Sequence, residues 1–230
     1  MNTKYEITQK DLAIARPFAE KRARNSKAFY RARGNKESHV VANCMNGILA
    51  EMKAKLWCDA NFPQHRVGDV VTKYNENPTW EPDLTMYLRK RDGTEAGSIY
   101  IHVKSFVLGK YPEFPDANGD DRWVTPPSFM FQKTDLGPNH SDADMIRIQK
   151  GGNSTDLLIG GLMSCKGHTP LDAVGDMCQL VGPFIMQQAV DQDLWKPPAA
   201  RSEKMRMHKR VLHLDDLLTK VDVCTTITIE

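Results

Sequence analysis

The sequence predicts a single-domain α/β protein, and three features predict it. Residues 37–57 carry apolar side chains at three- and four-residue spacing, the period of an amphipathic helix. Residues 83–108 switch to short strand-type runs joined by Lys90-Arg-Asp-Gly93, a hairpin turn signal. The chain has 230 residues, 40% hydrophobic and 26% charged, enough to bury one sizeable core without disulfides and unlike a disordered or collagen-like polymer.

The N-terminal segment is basic. Between Met1 and Lys36 ten Lys and Arg stand against three Asp and Glu, so this segment carries +7 and the remainder −5 of the overall +2. A basic arm on a mildly acidic body suits a polyanionic partner; it equally suits a solvated helix whose cations aid solubility. Residues 8–33 read as a helix, with Thr8 as N-cap, Pro17 as a break and Gly34-Asn35 as a stop.

In the second helix, Glu37 to Trp57, the apolar stripe is Val41, Met45, Ile48, Met52 and Lys55 or Leu56. Asn43, Gly47 and Glu51 form an adjacent stripe, so a helix laid on a sheet holds Glu51 beside that contact. Three strand candidates follow: 67–74, 83–88 and 98–108, the last two as antiparallel neighbours. Residues 109–127, rich in Pro, Gly and Asp, read as a loop. Ser128 to Gln132, which reads equally as a helical turn, and Thr155 to Met163 are further strand candidates, and polar residues 133–153 hold one more strand-type run at 145–148. Leu171 to Val190 reads as a helix in spite of Gly175, Gly182 and Pro183. A basic stretch covers 196–210, and the last element has no clear pattern.

No apolar run reaches the length of a membrane span, and the N-terminus lacks the apolar region of a signal peptide. A cytoplasmic protein without a membrane partner is expected. The five cysteines are an odd, widely spaced set, which argues against a disulfide framework. Cys165-Lys-Gly-His168 followed by Cys178 comes nearest to a zinc pattern, but buried thiols and a surface histidine account for it as well.

The chemistry concentrates on three consecutive elements. Asp83 opens one strand directly after Pro82. His102 and Lys104 lie two apart on the next, so both project from one face. The antiparallel hairpin sets that face beside Asp83, and the preceding helix can deliver Glu51.

At these positions the sequence resembles the PD-(D/E)XK nuclease superfamily. Gly47-Ile-Leu-Ala-Glu51 matches the Gly-x-x-x-Glu helix, Pro82-Asp83 the PD element and His102-Val-Lys104 the (D/E)-x-K element; Phe129-Met-Phe-Gln132 resembles a downstream glutamine segment of some members. The resemblance covers about residues 36–163. It implies a restriction-endonuclease-like core, a mixed central sheet flanked by helices, from residue 36 to 230, preceded by the basic helical extension of residues 1–35. It also implies metal-dependent hydrolysis of DNA phosphodiesters with Mg2+ or Mn2+ as cofactor, as in phage or restriction and repair endonucleases. Asp83 would be the central metal ligand, with Glu51 and His102 completing the set. Lys104 would orient the attacking water or stabilise charge on the phosphorane, and Gln132 would be auxiliary. DNA would be gripped by Lys21, Arg22, Arg24, Lys27, Arg31, Arg33 and Lys36, and by the cluster of Lys204, Arg206, Lys209 and Arg210. The expected partners are DNA and, in a homodimer, a second copy of the chain.

One position departs from the family. A carboxylate is usual where this chain has His102, and imidazole suits Mn2+ better than Mg2+. His102 as ligand, as general base and as a mark of lost catalysis all stay open. So do plainer roles: Asp83 as a turn cap, His102 as a hydrogen-bonded sheet residue, Lys104 as a half-buried cation reaching for water and Glu51 on a solvated helix face. Asp156, opening an apolar strand, reads as a strand-edge residue with an auxiliary acid as the other reading. His140, Asp142 and Asp144 read as a polar loop, with a metal cluster as the other reading, while the pairs Gly151-Gly152 and Gly160-Gly161 lack the lysine-bearing loop of a phosphate site. The rival functions are a DNA-binding protein of the same fold without catalysis and a protein-interaction domain.

Overall fold

A six-stranded mixed sheet divides the molecule into two layers of core. The structure, a computed structural model, describes residues 2–25, 37–70, 83–108, 127–132, 156–164, 177–196 and 209–227. The sheet contains β1 (Asn2–Glu6), β2 (Arg66–Val67), β3 (Leu84–Arg89), β4 (Glu95–Leu108), β6 (Leu157–Ser164) and β7 (Met177–Ile185). Its order is β1-β7-β6-β4-β3-β2, with β4 and β6 parallel and every other neighbour antiparallel. Helices α1 (Gln9–Asn25) and α2 (Glu37–Asn61) cover one face. The other face is covered by a two-stranded sheet of β5 (Ser128–Gln132) and β8 (Lys209–His213), with α3 (Met186–Asp191) and α4 (Leu214–Lys220) beside it.

Helix α1 begins where the sequence places it. The Asp11 amide donates to the Thr8 hydroxyl oxygen at 3.2 Å, while the Asp11 carboxylate accepts from the Thr8 amide at 2.8 Å and its hydroxyl at 2.7 Å. This is the reciprocal cap of a helix N-terminus. Pro17 does not break the helix. Its ring is exposed, while Leu12, Ala15 and Ala19 are buried in the core shared with α2, so packing outweighs the missing backbone bond. The expected stop at Gly34-Asn35 lies outside the described residues. The N-terminal segment is built into the domain: β1 pairs with β7 from Asn2↔Val181 to Glu6↔Met177, and α1 enters the main core.

Helix α2 is buried over more than one stripe because the sheet lies on one side and α1 on the other. Met45, Ile48, Leu49, Ala50, Ala54 and Cys58 are almost fully enclosed, whereas Leu56, which the spacing puts on the stripe, is exposed. Between α1 and α2 the Lys53 ammonium meets the Asp11 carboxylate at 2.6 Å, both side chains being nearly out of water.

The chief departure from the sequence reading lies in residues 171–190. The segment described there is strand β7 followed by the short helix α3, not one helix. β7 is buried on both faces between β1 and β6, and such a strand shows a continuous apolar run that periodicity cannot separate from a buried helix. Gly182 adopts φ +97°, a conformation glycine takes readily, and its Pro183 neighbour also suits the end of a strand better than a helix interior. β1 had no sequence signal. The strand expected over 67–74 is described only as Arg66–Val67, with residues 71–82 outside the described set. The 145–148 run is outside it as well. The patternless last element is β8 and α4.

Two adjacent glycines let β6 be covered closely on both sides. A Cβ on Gly161 would stand 2.7 Å from the Cβ of Ala50 in α2, and one on Gly160 would run into the Phe129 ring of β5. No helix among the described residues is long and apolar enough to cross a membrane.

Candidate functional site

The β3–β4 hairpin builds the site. Its turn is closed by the Gly93 amide donating to the Lys90 carbonyl at 2.9 Å, and the Asp92 carboxylate accepts from the amide and hydroxyl of Thr94. The pairing then runs back to Leu84↔Ile101. One residue further, the Asp83 carboxylate takes over where the ladder ends: Oδ2 accepts from the Val103 amide at 2.9 Å and from the Lys104 ammonium at 3.1 Å. Both side chains remain in partial contact with water, Lys104 at 19% and Asp83 at 23% exposure.

Alternation along β4 separates its neighbours cleanly. Ile99, Ile101 and Val103 belong to the core under α2, while His102 and Lys104 project to the opposite face, under the β5–β8 sheet. There Phe131 of β5 lies over both: its ring is 5.2 Å from the Lys104 nitrogen and 5.9 Å, edge-on, from the His102 ring. Trp195 in turn meets Phe131 edge-on at 5.1 Å.

The parallel pairing of β4 with β6 adds a residue to this face. His102 stands opposite Leu158, and Asp156, just before β6, brings its carboxylate oxygen to 3.3 Å from His102 Nε2. Asp156 stands directly before β6, as the sequence suggests, and is buried. Its approach could not be read from the sequence, because it depends on the register of two parallel strands more than fifty positions apart.

The structure therefore brings Asp83, His102, Lys104 and Asp156 to one sheet face. Glu51 is buried on α2, at 4% exposure, which excludes the solvated-face role. It belongs to the helix layer on the other side of the sheet, the side of Ile101 and Val103. Gln132 ends β5 opposite Lys209, and Phe131 stands opposite Arg210. That places part of the second basic cluster, by register, next to the strand that covers Lys104. Of the first cluster, Lys21 and Arg24 are exposed on α1, across the sheet from Lys104. The Arg22 side chain, Lys27, Arg31, Arg33 and Lys36 lie outside the described residues, as do Lys204 and Arg206.

Among the described residues, the buried cysteines Cys58 and Cys178 belong to the core on the α2 side of the sheet, away from the site. Burial pushes the Cys58 and Cys178 thiols up to about 12, which keeps both protonated and poor as nucleophiles or metal ligands. Cys178 faces Tyr5 across β1 and β7, while Cys165 and His168 lie outside the described residues. A scan of protein-family models and searches of curated proteins and of solved structures found no match to the chain.

Proposed function

We propose that this protein is a metal-dependent deoxyribonuclease with a restriction-endonuclease-like core. The observation that carries the reading is the contact of Asp83 with the Lys104 ammonium and the Val103 amide at the open end of the β3–β4 hairpin. The order of elements supports it: a helix with a buried Glu51, the hairpin, then β6 parallel to β4. Separately, each residue has a structural explanation; together they reproduce the order Glu, Asp, x-x-Lys.

Asp83 holds the Lys104 ammonium in place at the wet end of the sheet. A fixed cation there can stabilise the negative charge that develops on a phosphoryl group under attack, or orient the attacking water. Among the described residues no three Asp, Glu, His or Cys side chains form a ready metal cage. The donor set on this face fits instead a Mg2+ or Mn2+ ion held by a carboxylate and completed by water and substrate phosphate, with Asp83 as the first ligand and His102 as a further donor; Glu51, in the helix layer across the sheet, is not brought to that face. Such an ion, when bound, would supply polarisation of the phosphoryl oxygen and acidification of a water. The duplex backbone would lie on the β5–β8 side, where Lys209 and Arg210 occupy register positions beside Gln132 and Phe131.

A second reading, a DNA-binding protein without catalysis, is favoured by one observation: the family's carboxylate is replaced by His102, whose Nε2 is engaged by Asp156. Incubation with supercoiled, linear and branched DNA in Mg2+ and in Mn2+ decides between the two. Metal-dependent nicking supports the nuclease. A salt-sensitive gel shift without cleavage supports the second reading, and absence of both leaves a protein-interaction domain.

A further inference from the structure

Asp156 is a buried carboxylate to which the nuclease chemistry gives no task. Its side chain is 5% exposed and its Oδ2 lies 3.3 Å from Nε2 of His102, itself 14% exposed. The backbone on which it sits is anchored twice: the Asp156 carbonyl accepts from the Met186 amide at 3.0 Å, and the next residue, Leu157, pairs with Ile101. On its other side the His102 ring meets the edge-on ring of Phe131, which Trp195 holds in turn. The imidazole is thus held by a carboxylate and by an aromatic wall.

That arrangement favours one position for the proton. An ionised carboxylate only accepts hydrogen bonds, so the hydrogen between the two groups belongs to Nε2, and in a neutral ring Nδ1 then carries the lone pair. Among the described residues Nδ1 makes no hydrogen bond. A buried carboxylate is costly, and a strand that continues Leu157-Leu158-Ile159 could have begun with an apolar residue. A carboxylate that orients an imidazole gives the cost a purpose, as it does in ligand-holding and catalytic histidines generally.

We propose that Asp156 is a positioning residue that holds His102 as the Nε2–H tautomer, leaving the Nδ1 lone pair as the electron-pair donor this chain offers in place of a carboxylate. The role rests on the nuclease reading; the tautomer does not. The test is nitrogen NMR of the full chain labelled with 15N-histidine, with His102 assigned by the signal that disappears in His102→Gln. The expected wild-type spectrum shows a protonated Nε2 and an unprotonated Nδ1 for His102 at neutral pH. In Asp156→Leu, which leaves Nε2 without this acceptor, that pattern should vanish, and cleavage should fall by about 10- to 100-fold. A wild-type ring protonated on Nδ1 overturns the proposal, and this needs no variant to fold. An unchanged pattern in a folded Asp156→Leu also overturns it. The expected tautomer in a protein that never cuts DNA supports the positioning of His102 and sinks the nuclease.

Discussion

Replacing Lys53 by Met tests how the N-terminal helix is held on the domain. The Lys53 ammonium lies 2.6 Å from the Asp11 carboxylate, with 5% and 11% of the two side chains exposed. Removing one partner of a buried pair costs about 3–5 kcal/mol, because the other charge stays buried. Asp11 would keep the amide and hydroxyl of Thr8, so the low end applies, about 3 kcal/mol. For a chain of this size that lowers the melting temperature by roughly 6–12 °C. Adding Asp11→Asn removes the stranded charge and should return more than half of the loss. The acid dependence has a definite sign. Burial raises the Asp11 carboxyl, but the Lys53 ammonium and the Thr8 donors outweigh it and hold the group below its ordinary 3.8. The unfolded chain therefore binds more protons in that range, so the contribution is complete above about pH 4 and is lost as pH falls through the lower folded value. Urea unfolding followed by circular dichroism at pH 7 and in acid measures both effects. A Lys53→Met cost below about 1 kcal/mol, far under the range for a broken buried pair, would refute the reasoning. So would a cost that is as large at pH 2.5 as at pH 7.

Gly160→Ala should lower stability by about 1–3 kcal/mol, the usual cost of overpacking, since two further Phe129 ring carbons would stand 2.7 and 2.8 Å from the new methyl group. An unchanged urea midpoint would show that the β5–β8 sheet does not rest on β6. Neutralising Lys209 and Arg210 as Gln should flatten the dependence of log affinity for DNA on log salt by about 0.9 for each phosphate that the protein no longer neutralises. Neutralising Lys21 and Arg24 should leave that slope nearly unchanged; the reverse outcome would put the duplex on the α1 side.

The local chemistry of the fold was legible in the sequence. Thr8 caps α1, the period of residues 37–57 is that of α2, and Asp92-Gly93 closes the β3–β4 turn that aligns Asp83 with Lys104. Each of these depends on neighbours within a few positions or on one hairpin. What escaped depends on distant pairing. β1 is a strand because β7 lies beside it, and β7 reads as a helix because burial on both faces erases its alternation. Asp156 entered the site through the parallel register of β4 and β6. A charge count along the chain says nothing about which side of a sheet a helix covers, so the place of the exposed Lys21 and Arg24 across the sheet from Lys104 was not legible.

The central claim is that Asp83 and Lys104 form a phosphodiester-cleaving site. Its most direct measurement is the rate of nicking of supercoiled DNA in Mg2+ and Mn2+ by the wild type, Asp83→Asn and Lys104→Ala, with binding to the same DNA followed by gel shift. The account predicts nicking by the wild type and a loss of at least tenfold, ~1.4 kcal/mol of barrier, in each variant while the gel shift is retained. Nicking that survives both substitutions, or a wild type that binds DNA and never cuts it in either metal, would contradict it.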